Sequence, residues 1–332
     1  MAIASPLSVL PTMANDLARL EERLREAVVA HDEYLTEIAG HLINAGGKRV
    51  RPGFAIAAAG TRHSDAIDAS EPVLMGGVAV ELVHIGSLYH DDVMDQAETR
   101  RGAQSVNDRW GNLTAILAGD FLLARASEIA ASLGTEVAGL LAATIGELCE
   151  GQILEVRDTF NVARTEADYE RSIAGKTASL LATACRVGGI VGEIPHADIE
   201  ALTDFGHSYG MAFQIVDDIL DVVGTDEQLG KPAGNDLIEG VYTLPVLRAL
   251  QTSGAEADEL RSILGQEITM PERDRARELV RASTGVDDAL DEARTWADKA
   301  GAVLTSLPGS AATNALLAAA DHLIRRAADP ML

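Results

Sequence analysis

Two aspartate-rich pentapeptides, Asp91-Asp92-Val93-Met94-Asp95 and Asp217-Asp218-Ile219-Leu220-Asp221, each close an apolar stretch with helical periodicity. In a helix, residues i, i+1 and i+4 fall within an arc of about 100°, so each copy projects three carboxylates from one edge. Like charges so placed repel. Both sets also stand toward C-terminal helix ends, where the backbone dipole already presents negative charge. A fold that accepts this cost twice is built to hold cations there. Carboxylates without His or Cys at ligand spacing suit hard Mg²⁺ or Mn²⁺, which bridge protein carboxylates to phosphate oxygens.

The rest of the chain supports a helical reading. Ala and Leu dominate, aromatic residues make up only 4%, and the ten prolines fall between periodic segments or at helix starts. The pattern predicts helices over 15–30, 32–45, 52–60, 72–95, 113–131, 135–156, 175–191 and 195–221, a loop over 224–242, and several further helices ending near 327. Few segments read as strands. The expected organisation is all-α: a mobile start over 1–14, then a single large helical domain over 15–330, since nothing between 113 and 221 resembles a linker. The two acidic clusters then belong to one domain and face each other across its interior.

A net charge of −24 excludes a broad nucleic-acid-binding face. Cys149 and Cys185 form no metal or redox pattern and read as buried free thiols of a reducing compartment. The first residues lack the basic and apolar regions of a signal peptide, and Glu81 and His84 interrupt the longest apolar segment. These features lead us to expect a cytoplasmic protein without stable membrane insertion.

A cation site between acidic helix ends calls for a polyanionic ligand. Gly46-Gly47-Lys48-Arg49-Val50-Arg51-Pro52 places three cations in a glycine-flanked turn before a helix start, a geometry that favours phosphate. Arg100-Arg101-Gly102 follows the first acidic motif by five residues. Metal on one side and guanidinium on the other can hold a diphosphate. Gly175-Lys176-Thr177 has the tail of a nucleotide-binding P-loop, but Glu170 stands where the earlier glycine is required, which excludes ATP.

These motifs, together with Glu81-Leu82-Val83-His84, Phe213-Gln214 and Gly230-Lys231-Pro232, closely resemble those of the trans-isoprenyl diphosphate synthases, or polyprenyl synthetases, in order over about 46–245. The resemblance implies an all-α fold around a deep central cavity, a homodimer, and head-to-tail condensation of isopentenyl diphosphate onto an allylic diphosphate. It assigns Mg²⁺ (Mn²⁺ as a substitute) to Asp91, Asp95 and Asp217, with Asp221 in support. It assigns isopentenyl diphosphate to Lys48, Arg51, His84 and Arg101, and the allylic diphosphate to Arg100, Lys176, Thr177, Gln214 and Lys231. Lys176, Thr177 and Gln214 are the residues expected to border the reacting cation. Many relatives carry a lysine just before the Thr-Leu-Pro element; here Val241 stands near that place, before Tyr242.

Product length is read from positions one turn before Asp91. Family members with bulky aromatics there stop the chain early, whereas here the residues are Gly86 and Ser87. That implies a medium or long product, roughly 30 to 50 carbons on family analogy. A shorter product of about 15 to 25 carbons, or a non-catalytic subunit of a heteromeric synthase, are the alternatives on the same analogy. Tyr89, two residues before Asp91, is expected to point away from that face.

Overall fold

The computed structural model describes residues 7–226 and 232–328. Its elements are α1 (Met13–Ala27), α2 (Glu33–Ala39), α3 (His41–Asn44), α4 (Val50–Gly60), α5 (Glu71–Met94), a two-stranded hairpin of β1 (Thr99–Arg100) and β2 (Ala103–Gln104), and α6 (Val106–Trp110). There follow α7 (Asn112–Leu133), α8 (Thr135–Arg157), α9 (Glu166–Ile173), a π-helical turn Ala174–Ala178, α10 (Ser179–Val191) and α11 (His196–Val223). The chain continues through α12 (Asn235–Glu239), α13 (Leu244–Gln251), α14 (Ala255–Ile263), α15 (Met270–Ala282), α16 (Gly285–Leu304) and α17 (Ala311–Ala328). The architecture is all-α, as the sequence implies.

The chain forms two compact units. One comprises Met1–Ile145, Leu180–Gly206 and Val303–Ala319; the other comprises Gly146–Ser179, His207–Ala302 and Ala320–Leu332. The first unit is organised by α5. Most of this helix is apolar, and Val73, Leu74, Val78, Val80, Leu82, Val83, Ile85 and Tyr89 are all buried, the pattern of a core helix rather than an amphipathic surface one. Each such side chain contributes about 2 kcal/mol relative to exposure. α7, α4 and α1 pack on α5. Phe54 on α4 meets Phe205 with ring centroids 5.7 Å apart.

The start of the chain, expected to be mobile over 1–14, is packed by residue 7: Leu7 and Leu10 are buried, and α1 begins at Met13. α5 is mostly buried, whereas the comparably long and apolar α8 is largely exposed; Cys149 on α8 is accordingly exposed, against the expectation that both thiols are buried, while Cys185 on α10 is buried.

In the second unit, α15 closes the end of α11. Arg277 donates through Nε to the Val222 carbonyl at 3.1 Å and through Nη2 to Gly224 at 2.7 Å; Arg281 donates to Val222 and Val223 at 2.9 and 3.0 Å. These contacts satisfy carbonyls that a helix C-terminus leaves without intrahelical partners.

Candidate active site

In the first unit, the acidic motif lies at the end of α5, where the chain reverses sharply. The Asp95 amide donates to the Asp91 carbonyl at 2.8 Å and the Ala97 amide to the Asp92 carbonyl at 2.9 Å, with Gln96 between them in the left-handed region (φ 51°). This is a Schellman-type stop. The chain then enters the hairpin, in which Thr99 faces Gln104 and Arg100 faces Ala103. Arg101 and Gly102, with φ of 55° and 74°, supply the left-handed pair that a tight two-residue hairpin needs. The Arg-Arg-Gly motif is therefore a turn.

That turn aims its two arginines in different directions. Arg100 binds the buried Asp92 through Nε and Nη2, at 2.7 and 2.6 Å. Arg101 donates through Nη1 to the Gly46 carbonyl at 2.6 Å and to Leu42 at 3.3 Å, and its Nη2 lies 3.8 Å from Glu81. It thereby ties the hairpin to the glycine-flanked turn.

Of the three cations in that turn, Arg49 faces inward. It adopts a left-handed backbone (φ 47°) at the position just before α4, is 4% exposed, and pairs with Glu81 at 2.9 Å and with Glu21. Lys48 is exposed. Arg51 sits in the first turn of α4, its buried Nε without a hydrogen-bond acceptor, and burial next to Arg101 lowers its pKa to about 10 despite the opposing pull of Glu81. His84 lies among Arg51, Arg101, Arg49 and Arg100. Burial first, then these four charges, hold its pKa well below the usual imidazole value, so it is neutral at pH 7.

Helical geometry places His84, Ser87, Asp91 and Asp95 on one face of α5, and all four are at least partly exposed. Gly86 lies elsewhere. A Cβ built on it would meet the Gly119 carbonyl at 3.2 Å and Leu123 at 3.3 Å, so Gly86 is the close-approach point between α5 and α7. The two sequence candidates for product length therefore separate: Ser87 shares the face of Asp91, and Gly86 packs against a neighbouring helix. Tyr89 points away as expected, its hydroxyl donating to the Ile38 carbonyl at 2.7 Å.

In the second unit, Lys176 and Thr177 lie on the π-helical turn, an irregularity often found at functional sites. Gly175 and Gly151 allow it to press against α8. A Cβ on Gly151 would sit 2.5 Å from the Lys176 nitrogen, and one on Gly175 2.7 Å from the Glu147 carbonyl. Lys176 pairs with Glu155. Thr177, 6% exposed, donates its hydroxyl to Gln214 Oε1 at 2.7 Å.

The second acidic motif divides in the same way as the first. Asp217 is exposed. Asp218 is buried and accepts from Tyr169 and Gln214; burial, followed by the influence of Asp217 and Glu155, raises its pKa to about 7 against those hydrogen bonds. Asp221, expected to support metal binding, is 3% exposed, and its Oδ2 accepts from the Asp236 amide at 3.4 Å. Its position is that of a buried anchor for the following loop. Val241 is half-buried and donates its amide to the Asp236 carbonyl at 2.8 Å, so a neutral side chain stands there. Lys231 lies outside the described residues.

Sequence reasoning passed over Tyr169, Glu81 and the two middle aspartates. Glu81 carried a signal, because it stands in the quoted motif three residues before His84. Tyr169 carried none, since 49 positions separate it from Asp218.

A polyprenyl synthetase family model matches residues 32–281. The chain belongs to that family. It is 39% identical over 311 residues to the nonaprenyl diphosphate synthase of Mycobacterium tuberculosis, covering 93% of this chain and 92% of the relative. It is 40% identical over 297 residues to heptaprenyl diphosphate synthase component 2 of Geobacillus stearothermophilus, covering 89% and 91%. Among solved structures it resembles geranylgeranyl pyrophosphate synthase from Corynebacterium glutamicum complexed with calcium and isoprenyl diphosphate, with TM-score 0.81, 39% identity, and 95% and 96% coverage. The polyprenyl synthetase chain described here is a prenyltransferase with the all-α isoprenoid synthase fold.

The donor set fits a divalent metal of a particular kind. Among the described residues, no three His, Cys, Asp or Glu side chains converge into a protein-only metal site. Hard carboxylate oxygens suit a divalent cation that also takes water and phosphate oxygens. Asp91, Asp95 and Asp217 are the exposed or half-exposed carboxylates of the two motifs.

Proposed function

We propose that this prenyltransferase condenses isopentenyl diphosphate head-to-tail onto an allylic diphosphate and releases diphosphate, with Mg²⁺ held by Asp91, Asp95 and Asp217 and with Asp221 in support. The observation that carries this reading is the shared division of the two acidic motifs. In each, the middle aspartate is committed inward, Asp92 to Arg100 and Asp218 to Tyr169 and Gln214, while the first remains accessible. Bound Mg²⁺ supplies charge neutralisation of the departing diphosphate.

The chain's own residues supply the rest. Arg100 and Lys176 bind the allylic diphosphate, and Lys231 is assigned there by motif. Lys48, Arg51, Arg101 and neutral His84 bind isopentenyl diphosphate; the first-turn position of Arg51 adds the favourable end of the α4 dipole. As the allylic C–O bond breaks, its electron pair stays with the diphosphate, and the oxygens of Thr177 and Gln214 face the resulting cation. The isopentenyl double bond forms the new C–C bond, and the proton lost from its C2 passes to the released diphosphate. Apolar surroundings keep water from quenching the cation.

We assign a product of about 30 to 50 carbons, because a small Ser87, rather than a bulky side chain, stands one turn before Asp91. The relatives' names span geranylgeranyl to decaprenyl, so residue chemistry carries this assignment. We further propose a cytoplasmic homodimer formed through α7, where Leu113, Ile116 and Leu117 are exposed at 72%, 40% and 58%. The name of the Geobacillus relative, a component 2, supports a second reading in which a different subunit takes that place. Purified chain, Mg²⁺, labelled isopentenyl diphosphate and a series of allylic primers test both: elongation by this chain alone supports the homodimer, and elongation only with an added subunit supports the alternative.

A further inference from the structure

Asp218 sits at the end of a directed hydrogen-bond chain. Its Oδ2 accepts the Tyr169 hydroxyl at 2.5 Å and its Oδ1 accepts Gln214 Nε2 at 2.8 Å. The Gln214 oxygen accepts the Thr177 hydroxyl at 2.7 Å. An amide whose NH₂ is held by a carboxylate has its oxygen direction fixed, so the Thr177 proton points toward Gln214 Oε1. The Thr177 oxygen then keeps its lone pairs for whatever lies on its other side.

Tyr169 is itself firmly placed. α9 begins with a capping box in which the Asp168 amide donates to Thr165 Oγ1 at 3.1 Å and the Thr165 amide to Asp168 Oδ2 at 3.4 Å. The Arg164 guanidinium lies 5.5 Å from the Tyr169 ring centre and donates to the Tyr242 carbonyl at 3.1 Å. Burial, with Asp218 beside it, pushes the Tyr169 hydroxyl well above its usual pKa, so it remains a donor at neutral pH.

We propose that Tyr169 is a positioning residue for the allylic site: its hydroxyl holds Asp218, Asp218 holds the Gln214 amide, and that amide turns Thr177 so that its oxygen lone pairs face the reacting carbon. The inference rests on the condensation proposed above and deepens it. It gives the middle aspartate of the second motif an orienting task separate from metal binding. Removal of the tyrosine hydroxyl leaves Asp218 Oδ2 buried without its donor, which frees the carboxylate to rotate and releases the amide.

The test is a double-mutant cycle in the full chain, assayed with Mg²⁺, labelled isopentenyl diphosphate and an accepted allylic primer. Tyr169→Phe is expected to lower kcat about 10-fold, a loss comparable to one weakened electrostatic contact, and to leave the KM for isopentenyl diphosphate unchanged. In a Thr177→Val background the same change is expected to cost less than about 2-fold, because its effect passes through the threonine hydroxyl. An equal fold-loss in both backgrounds overturns the proposal, as it marks a structural effect alone. Should Tyr169→Phe lose its cooperative melt, Asp218→Asn interrupts the same chain, and its cycle with Thr177→Val is read by the same criterion. Wild-type chain that elongates no primer, alone or with an added subunit, defeats the condensation reading and the inference together. Active wild type with independent Tyr169 and Thr177 effects defeats only the inference.

Discussion

Arg100 grips Asp92 through two guanidinium nitrogens at 2.7 and 2.6 Å, with the carboxylate wholly buried and the arginine about one-third exposed. The pair converts a mobile surface arginine into a fixed arm, and it removes the middle aspartate from the set that can bind metal. Asp92→Ala is expected to lower unfolding free energy by about 2 kcal/mol, less than for a fully enclosed pair because water can reach Arg100. The KM for the allylic primer should rise about 10-fold as Arg100 loses its anchor. Urea denaturation and primer titration measure the two effects; unchanged primer KM counts against Arg100 as a diphosphate ligand.

His84 gives a pH signature. Burial and the arginines around it keep it neutral in the folded protein at pH values where the unfolded chain is protonated. Below pH 6.5 the unfolded state therefore binds the extra proton, and stability falls as pH falls, by up to about 1.4 kcal/mol per unit; above that range the contribution is level. Urea melts from pH 5 to 8 should show this slope in wild type and a shallower one in His84→Gln. Parallel curves would contradict the assignment.

Ser87 and Gly86 should respond differently to the same substitution. Ser87→Phe is expected to shorten the main product by several isoprene units while preserving the fold. Gly86→Phe drives a ring into the α5–α7 crossing and should cost about 2 kcal/mol or more of stability. Chromatography of dephosphorylated products and thermal melts separate the two. A Ser87→Phe enzyme with an unaltered product distribution would remove Ser87 from the length-setting role.

On α7, Leu117→Glu is expected to convert a dimer to a monomer in light scattering, because it places a charge within the exposed apolar set of Leu113, Ile116 and Leu117. A variant that remains dimeric places the interface elsewhere.

Much of the fold was legible because long helices with clear punctuation follow local rules. The expected 72–95, 113–131, 135–156 and 195–221 correspond closely to α5, α7, α8 and α11. The chemical motifs were legible for a related reason: their charges stand at short spacing. Direction was harder to read. Arg49 stands between Lys48 and Arg51 in a cationic turn, yet Glu21 and Glu81, 28 and 32 positions away, draw it inward. The small size of Gly86 was read for product length alone, and only the packed structure shows that α7 requires it as well. The burial of Asp221, set by the loop that returns at Asp236, is likewise absent from the repeated acidic pattern. Each of these depends on tertiary contacts that local periodicity does not encode.

The most direct test uses wild type, Asp91→Ala and Asp217→Ala with labelled isopentenyl diphosphate and an allylic primer, in Mg²⁺ and in excess chelator. Wild type should build long prenyl chains only with metal, while each variant keeps its helical circular dichroism and loses at least about 1,000-fold in turnover. Full elongation by either folded variant, or by wild type without divalent ions, would contradict the account.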